Sequence, residues 1–115
     1  MTELDDIKKT LATFAKDRDW EQFHSPKNLA MALSVEVAEI VEHFQWLSEE
    51  DANTLTTEKR HAIAEEIADT QMYLLLLAEK LDVDIIQSVN QKITKNTEKY
   101  PIEKTKGFSK KYTEY

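Results

Sequence analysis

Residues 25–46 read SPKNLAMALSVEVAEIVEHFQW. Ser25 brings a hydroxyl to a helix N-cap, and Pro26 takes the first helical position, where its missing N–H costs nothing. The stretch predicts a helix of about 21 residues ending near Trp46, roughly 30 Å long. From Leu29 onward nearly every position is apolar, the exceptions being Ser34, Glu36, Glu39, Glu42, His43 and Gln45. At 100° per residue Glu36, Glu39 and His43 share one face, with Ala32, Val35, Ile40 and Trp46 between or beside them. A solvated face has long polar neighbours, not these, so Glu36 and Glu39 are expected at the rim of packed surface or inside it.

The theme recurs downstream, where a third helix is expected over about residues 57–81. Residues 62–78 are mostly apolar, interrupted by Glu65, Glu66, Asp69, Thr70 and Gln71. Glu66 and Asp69 are adjacent on one face, and Tyr73 lies one turn beyond Asp69. Upstream, Thr2 with Asp5 caps a first helix whose apolar positions are Leu4, Ile7, Leu11 and Phe14. That pattern fades by Asp17, leaving Trp20 and Phe23 in a connection. Residues 48–51 carry a turn signal between the second and third helices. Asp84 with Gln87 opens a fourth helix, which runs to about Lys99 and is ended by Pro101. Residues 102–115 read as a polar tail. Without strand alternation or repeats, the pattern predicts an all-α, four-to-five-helix bundle: one helical domain over residues 1–101, then the tail.

A chain of 115 residues is one domain of ordinary size. It can bury roughly 65% of its unfolded surface. The absence of cysteine excludes a disulfide framework and a thiolate metal site. Gly107 is the only glycine, so the glycine-rich loops that cradle phosphates elsewhere are excluded. Any phosphate chemistry must therefore come from side chains and metal. The net charge is −7, from 22 acids against 15 lysines and arginines. That balance argues against nonspecific nucleic-acid binding and against an anionic membrane surface. The start of the chain is acidic and amphipathic, unlike a signal peptide. The longest wholly apolar run, residues 72–78, is far short of the roughly 20 residues that span a bilayer. A soluble, cytoplasmic protein is expected.

Two helices joined by a short connection pack side by side, and both acidic pairs lie at similar depth from that connection. Four carboxylates meeting there would repel by roughly 3 kcal/mol per pair at an effective dielectric near 20. Protonation, with raised pKa values, would relieve this. So would a hard divalent cation, Mg²⁺ or alternatively Mn²⁺ under all-oxygen ligation. The plainer alternative is two ordinary solvated acid pairs. Elsewhere, His24 could line a site mouth. His43 and His61 could ligate metal. Trp20, Phe23, Trp46 and Tyr73 could stack a nucleobase or simply fill a core. Lys92, Asn96 and Tyr100 follow at i, i+4 and i+8, either reaching phosphate or sugar or forming an exposed polar stripe.

Glu36-Val37-Ala38-Glu39, then 26 intervening residues, then Glu66-Ile67-Ala68-Asp69, resembles the paired acidic motif of the MazG-like nucleoside triphosphate pyrophosphohydrolases. Its short, single-module branch, similar to the dCTP pyrophosphatases, is nearest. The likeness extends to Trp20, to Phe23 through Leu29, to Phe44-Gln45-Trp46, to Tyr73, to Asn96 with Lys99-Tyr100-Pro101, and to Lys110 through Glu114. It covers about residues 5–114. No distinctive family residue stands near Leu11, which leaves base selection open.

The resemblance implies an all-α enzyme that cleaves between the α- and β-phosphates, releasing a nucleoside monophosphate and pyrophosphate. Glu36, Glu39, Glu66 and Asp69 would be catalytic and would hold Mg²⁺, with Glu39 as a candidate general base. Trp20, His24, Trp46 and Tyr73 would form the nucleoside pocket, and Lys92, Asn96 and Tyr100 would contact phosphate or sugar. Substrates would be deoxynucleotides such as dCTP, in a house-cleaning role. The family assembles as dimers or tetramers with sites between subunits, which suits helices that are apolar nearly all round. Two rival expectations are a non-catalytic helical module whose acidic stripe binds a basic partner, and a related hydrolase of dUTP or phosphoribosyl-ATP.

Overall fold

Among the described residues every α-helix save the last starts the same way. A short polar side chain accepts the backbone N–H three residues on, satisfying one of the donors that a helix start leaves unpaired. Thr2, Ser25, Ser48, Thr56 and Asp84 do this for the N–H groups of Asp5, Asn28, Asp51, Lys59 and Gln87, at 3.0–3.2 Å. The computed structural model describes residues 2–107. Among them the helices are α1 (Glu3–Asp17), α2 (Pro26–Phe44), α3 (Glu49–Ala52), α4 (Thr57–Lys80), α5 (Ile85–Lys99) and α6 (Ile102–Thr105), with a 3₁₀ turn at Glu21–Phe23 and no strand. The class is all-α, as the sequence predicts, with four long helices and two single turns.

The chain divides after Asp82 into two compact units. In the first, α2 and α4 pack along one another and α1 packs on α4. Leu29 of α2 and Leu75 of α4 are the most buried side chains, at 1% and 2% exposure, joined in the core by Ala15, Ile63 and Ala78. Burying a leucine this fully contributes roughly 1.5–3 kcal/mol. The second unit holds α5, capped by Asp84, and α6.

Two sequence expectations are adjusted. Helix α2 stops at Phe44 instead of Trp46, with Gln45 as its C-cap. Ser48 must be extended (φ −72°, ψ 164°) to cap α3, so the chain has to leave α2 before it. The same cap turns the expected 48–51 turn into a helical turn. In the tail, Pro101 starts α6 over Ile102–Thr105. Residues 108–115, including Lys110 through Glu114, lie outside the described residues.

The connection out of α1 closes as a Schellman motif. The Trp20 N–H reaches the Ala15 carbonyl at 2.9 Å and the Asp19 N–H reaches Lys16 at 3.1 Å. Asp19 takes the left-handed conformation, φ 54°, that glycine usually fills. The motif's hydrophobic contact is present as well: Trp20 meets Phe14 edge to face, with ring centroids 5.6 Å apart. The Asn28 side chain donates to the Phe23 carbonyl at 3.1 Å and ties the 3₁₀ turn to the start of α2. Trp20 and His24 are thus fixed by backbone chemistry on either side of that turn.

Candidate active site

The α2–α4 seam orders the acidic residues in levels. Glu36 and Asp69 line one cavity, while Glu39 and Glu66 line a separate cleft together with His43 and Lys59. Numbers rising on α2 are matched by numbers falling on α4, so the two helices run antiparallel. Both Glu-x-x-acid pairs face each other, as the spacing predicts.

Glu36, Glu39 and Glu66 each offer a carboxylate oxygen within 4.8 Å of the others. All three side chains are half-buried. One oxygen of Glu36 and one of Glu66, both Oε2, are shut away from solvent with no hydrogen-bond partner. Orphaned buried oxygens are costly unless something satisfies them. Burial raises the pKa of Glu36, aided by a hydrogen bond to Glu39 and by the charges of Glu39 and Asp69. For Glu66 the hydrogen bond with Glu39 is the leading cause, followed by burial and the charges of Glu39 and Glu36, and its pKa rises to about 7. Three converging hard oxygens, two of them unsatisfied, match the donor set a divalent cation takes. Asp69 stands next to the trio, near enough to Glu36 for its charge to be felt.

On one side of this cluster lies a cavity of about 270 Å³. Trp20, His24 and Tyr73 line it, as does Phe14, with Glu36 and Asp69 supplying its acidic edge. The Phe14 ring is held twice. The Arg18 guanidinium lies 3.6 Å from its centroid, and Arg18 also donates to the Phe14 carbonyl at 3.1 Å. On the other side lies a cleft of about 450 Å³, lined by Glu39, Glu42, His43, Lys59 and Glu66.

Of the residues singled out in the sequence, Glu36, Glu39, Glu66, Asp69, Trp20, His24 and Tyr73 are brought together here. Trp46 is not among the cavity's lining residues and is 88% exposed. Phe23 and His61 are exposed. Lys92, Asn96 and Tyr100 follow one another along α5 and its C-cap in the second unit, where the Tyr100 N–H bonds the Asn96 carbonyl at 2.9 Å. The sequence reading missed Leu11, Phe14, Met72 and Leu76 as cavity wall. Their only signal is helical apolar periodicity, which does not separate a core residue from a pocket residue. It also assigned no role to Lys59.

The MazG-like family model matches residues 31–115. The chain is 42% identical over 113 residues to dCTP pyrophosphatase 1 of Mus musculus, covering 96% of this chain and 66% of that protein. It is 41% identical over 113 residues to dCTP pyrophosphatase 1 of Homo sapiens, with the same coverage. The chain thus spans just under two thirds of the length of these relatives. The crystal structure of a pyrophosphatase from Archaeoglobus fulgidus superposes with a TM-score of 0.83 at 36% identity, covering 88% of this chain and 94% of that one. The chain belongs to the MazG-like family. Among its described residues no helix is long and apolar enough to cross a membrane.

Proposed function

We propose that this chain hydrolyses nucleoside triphosphates between the α- and β-phosphates, with deoxynucleotides such as dCTP as substrates. The observation that carries the reading is the Glu36–Glu39–Glu66 cluster, with its two unsatisfied buried oxygens, set between an aromatic cavity and a polar cleft. The names of its relatives support the substrate. An exposed acidic stripe that binds a basic partner would keep its carboxylates solvated, whereas Glu36 and Glu66 each bury an oxygen.

In this reading Glu36, Glu39, Glu66 and Asp69 hold Mg²⁺, or Mn²⁺ in its place. The cation supplies the charge that a −7 chain otherwise lacks for binding a triphosphate. Trp20 and Tyr73 stack the base, and His24 closes the pocket mouth. Trp46 contacts the nucleoside in an assembly whose sites lie between subunits, a reading supported by its high exposure in the single chain. Lys92, Asn96 and Tyr100 are assigned phosphate or sugar on the family likeness. A water oxygen bonds the α-phosphorus in line, the bridging Pα–O bond breaks, and the electron pair leaves with pyrophosphate. A cluster carboxylate, with Glu39 as the candidate, takes the water's proton.

The test is a panel of deoxy- and ribonucleoside triphosphates with and without Mg²⁺, resolving pyrophosphate from orthophosphate. Pyrophosphate with a nucleoside monophosphate is expected, and orthophosphate with a diphosphate would overturn the reading. Glu36→Gln and Asp69→Asn should each lower turnover at least about 100-fold with the fold retained. A variant with near-normal rate would remove its residue from the site.

A further inference from the structure

The cleft beyond the aromatic cavity supplies Glu39 and Glu66 to the carboxylate cluster, yet its two nitrogen-bearing side chains have no role in the mechanism so far. Among the acids Glu39, Glu42 and Glu66 stand His43 on α2 and Lys59 on α4. Both are half-buried. Lys59 forms no ion pair with any of those carboxylates, so its three N–H donors remain available. A lysine placed merely to neutralise the acids would be paired with one of them.

Position along the seam gives the pair its meaning. On α2, Glu36, Glu39 and His43 fall at i, i+3 and i+7 on one face. On the antiparallel α4, Asp69, Glu66 and Lys59 fall at i, i−3 and i−10, which again share one face. At 1.5 Å per residue, His43 lies about 10 Å along α2 from Glu36, and Lys59 about 15 Å along α4 from Asp69. The site therefore has a direction: aromatic cavity, carboxylate cluster, then two nitrogen donors. A nucleoside triphosphate laid along it with the base in the cavity brings its α-phosphate to the carboxylates and sends its β- and γ-phosphates into the cleft. A leaving group in line with the attacking water departs the same way.

We propose that this cleft is the pyrophosphate subsite, in which Lys59 and His43 bind the β- and γ-phosphates of the substrate and hold the departing pyrophosphate. The inference rests on the α–β cleavage reading and adds to it the residues that recognise the outer phosphates. Lys59 contributes a point charge and His43 a ring N–H, both toward oxygens that gain charge as the bond breaks. Their placement predicts a preference for triphosphates over diphosphates, since a diphosphate leaves the far end of the cleft unfilled.

The experiment is calorimetric titration of wild type and Lys59→Met with inorganic pyrophosphate in Mg²⁺ buffer, alongside titration with dCMP. Methionine keeps the apolar stem and removes the charge, and Lys59→Arg is the rescue control. Lys59→Met is expected to weaken pyrophosphate binding about tenfold, as loss of a charged hydrogen bond does, with dCMP binding unchanged. The preference in kcat/KM for dCTP over dCDP should shrink by a similar factor, and arginine should restore most of both. His43→Gln, at the other wall, serves if Lys59→Met fails to fold. Turnover at α–β with pyrophosphate binding indifferent to both residues would overturn the subsite alone. Pyrophosphate binding that depends on Lys59, in a protein that cleaves no nucleotide, would overturn the α–β reading and leave the subsite standing.

Discussion

Glu66 shows how one carboxyl reports on the whole cluster. Its pKa, raised to about 7, lies above the ordinary 4.5, so the metal-free fold prefers it protonated. The stability this contributes is complete below pH 4.5 and is lost as pH rises through about 7. Metal-free protein should therefore melt at a lower temperature at pH 8 than at pH 5.5. Mg²⁺ should raise the melting temperature more at pH 8, because it replaces a proton that has already left. Glu66→Gln should flatten the difference. A thermal melt series in chelator and in Mg²⁺ checks this, and a wild-type Mg²⁺ effect equal at both pH values would contradict it. The opposition of the acid pairs was legible in the sequence because i,i+3 spacing fixes a shared face. Their division between two openings was not, because that depends on how far each helix is rotated about its axis.

At the scale of the element, the helix starts were the most readable feature and the helix ends the least. Thr2, Ser25 and Asp84 announce themselves because capping is a contact between residues three apart. The exits from α1 and α4 pass through Asp19 and Asp82, both at φ 54°. Aspartate is an uncommon occupant of that conformation, so neither position stood out. Asp19 holds the turn that presents Trp20 to the cavity, with its carboxylate and carbonyl both accepting from the Gln22 side chain at 3.0 Å. Asp19→Val should cost roughly 1–2 kcal/mol, since a β-branched residue strains a left-handed position, whereas Asp19→Gly should be near neutral. Denaturant unfolding measures both. The valine variant should also bind dCMP less tightly, because Trp20 loses its anchor. Equal stability of the two variants would remove the turn from the account of the site.

For the whole molecule, the surface of the first unit is too apolar to be finished. Met31, Val35, Val37 and Val41 of α2 and Ile67 of α4 are each about half exposed, more than a soluble monomer of this size usually gathers on two helices. The proposed dimer or tetramer would cover them. Light scattering at micromolar concentration should return two or four times the 13.4 kDa chain mass. Val37→Glu combined with Val41→Glu, one helical turn apart, should shift that mass toward the monomer. A wild-type monomer would contradict the assembly. This excess was visible in residues 25–46 from the start, since a helix apolar on nearly every side needs more cover than a short chain provides. The exposure of Trp46 was not visible, because it follows from where Ser48 ends the helix.

The partition of the seam has a practical corollary. Since Leu11 and Met72 border the aromatic chamber and not the cleft of Glu39 and Glu66, enlarging or shrinking them would, under the proposed activity, retune which nucleobases are admitted. Under that proposal base selectivity is tuned from apolar walls and not from the carboxylates, and a variant library confined to those two positions would shift acceptance toward bulkier bases.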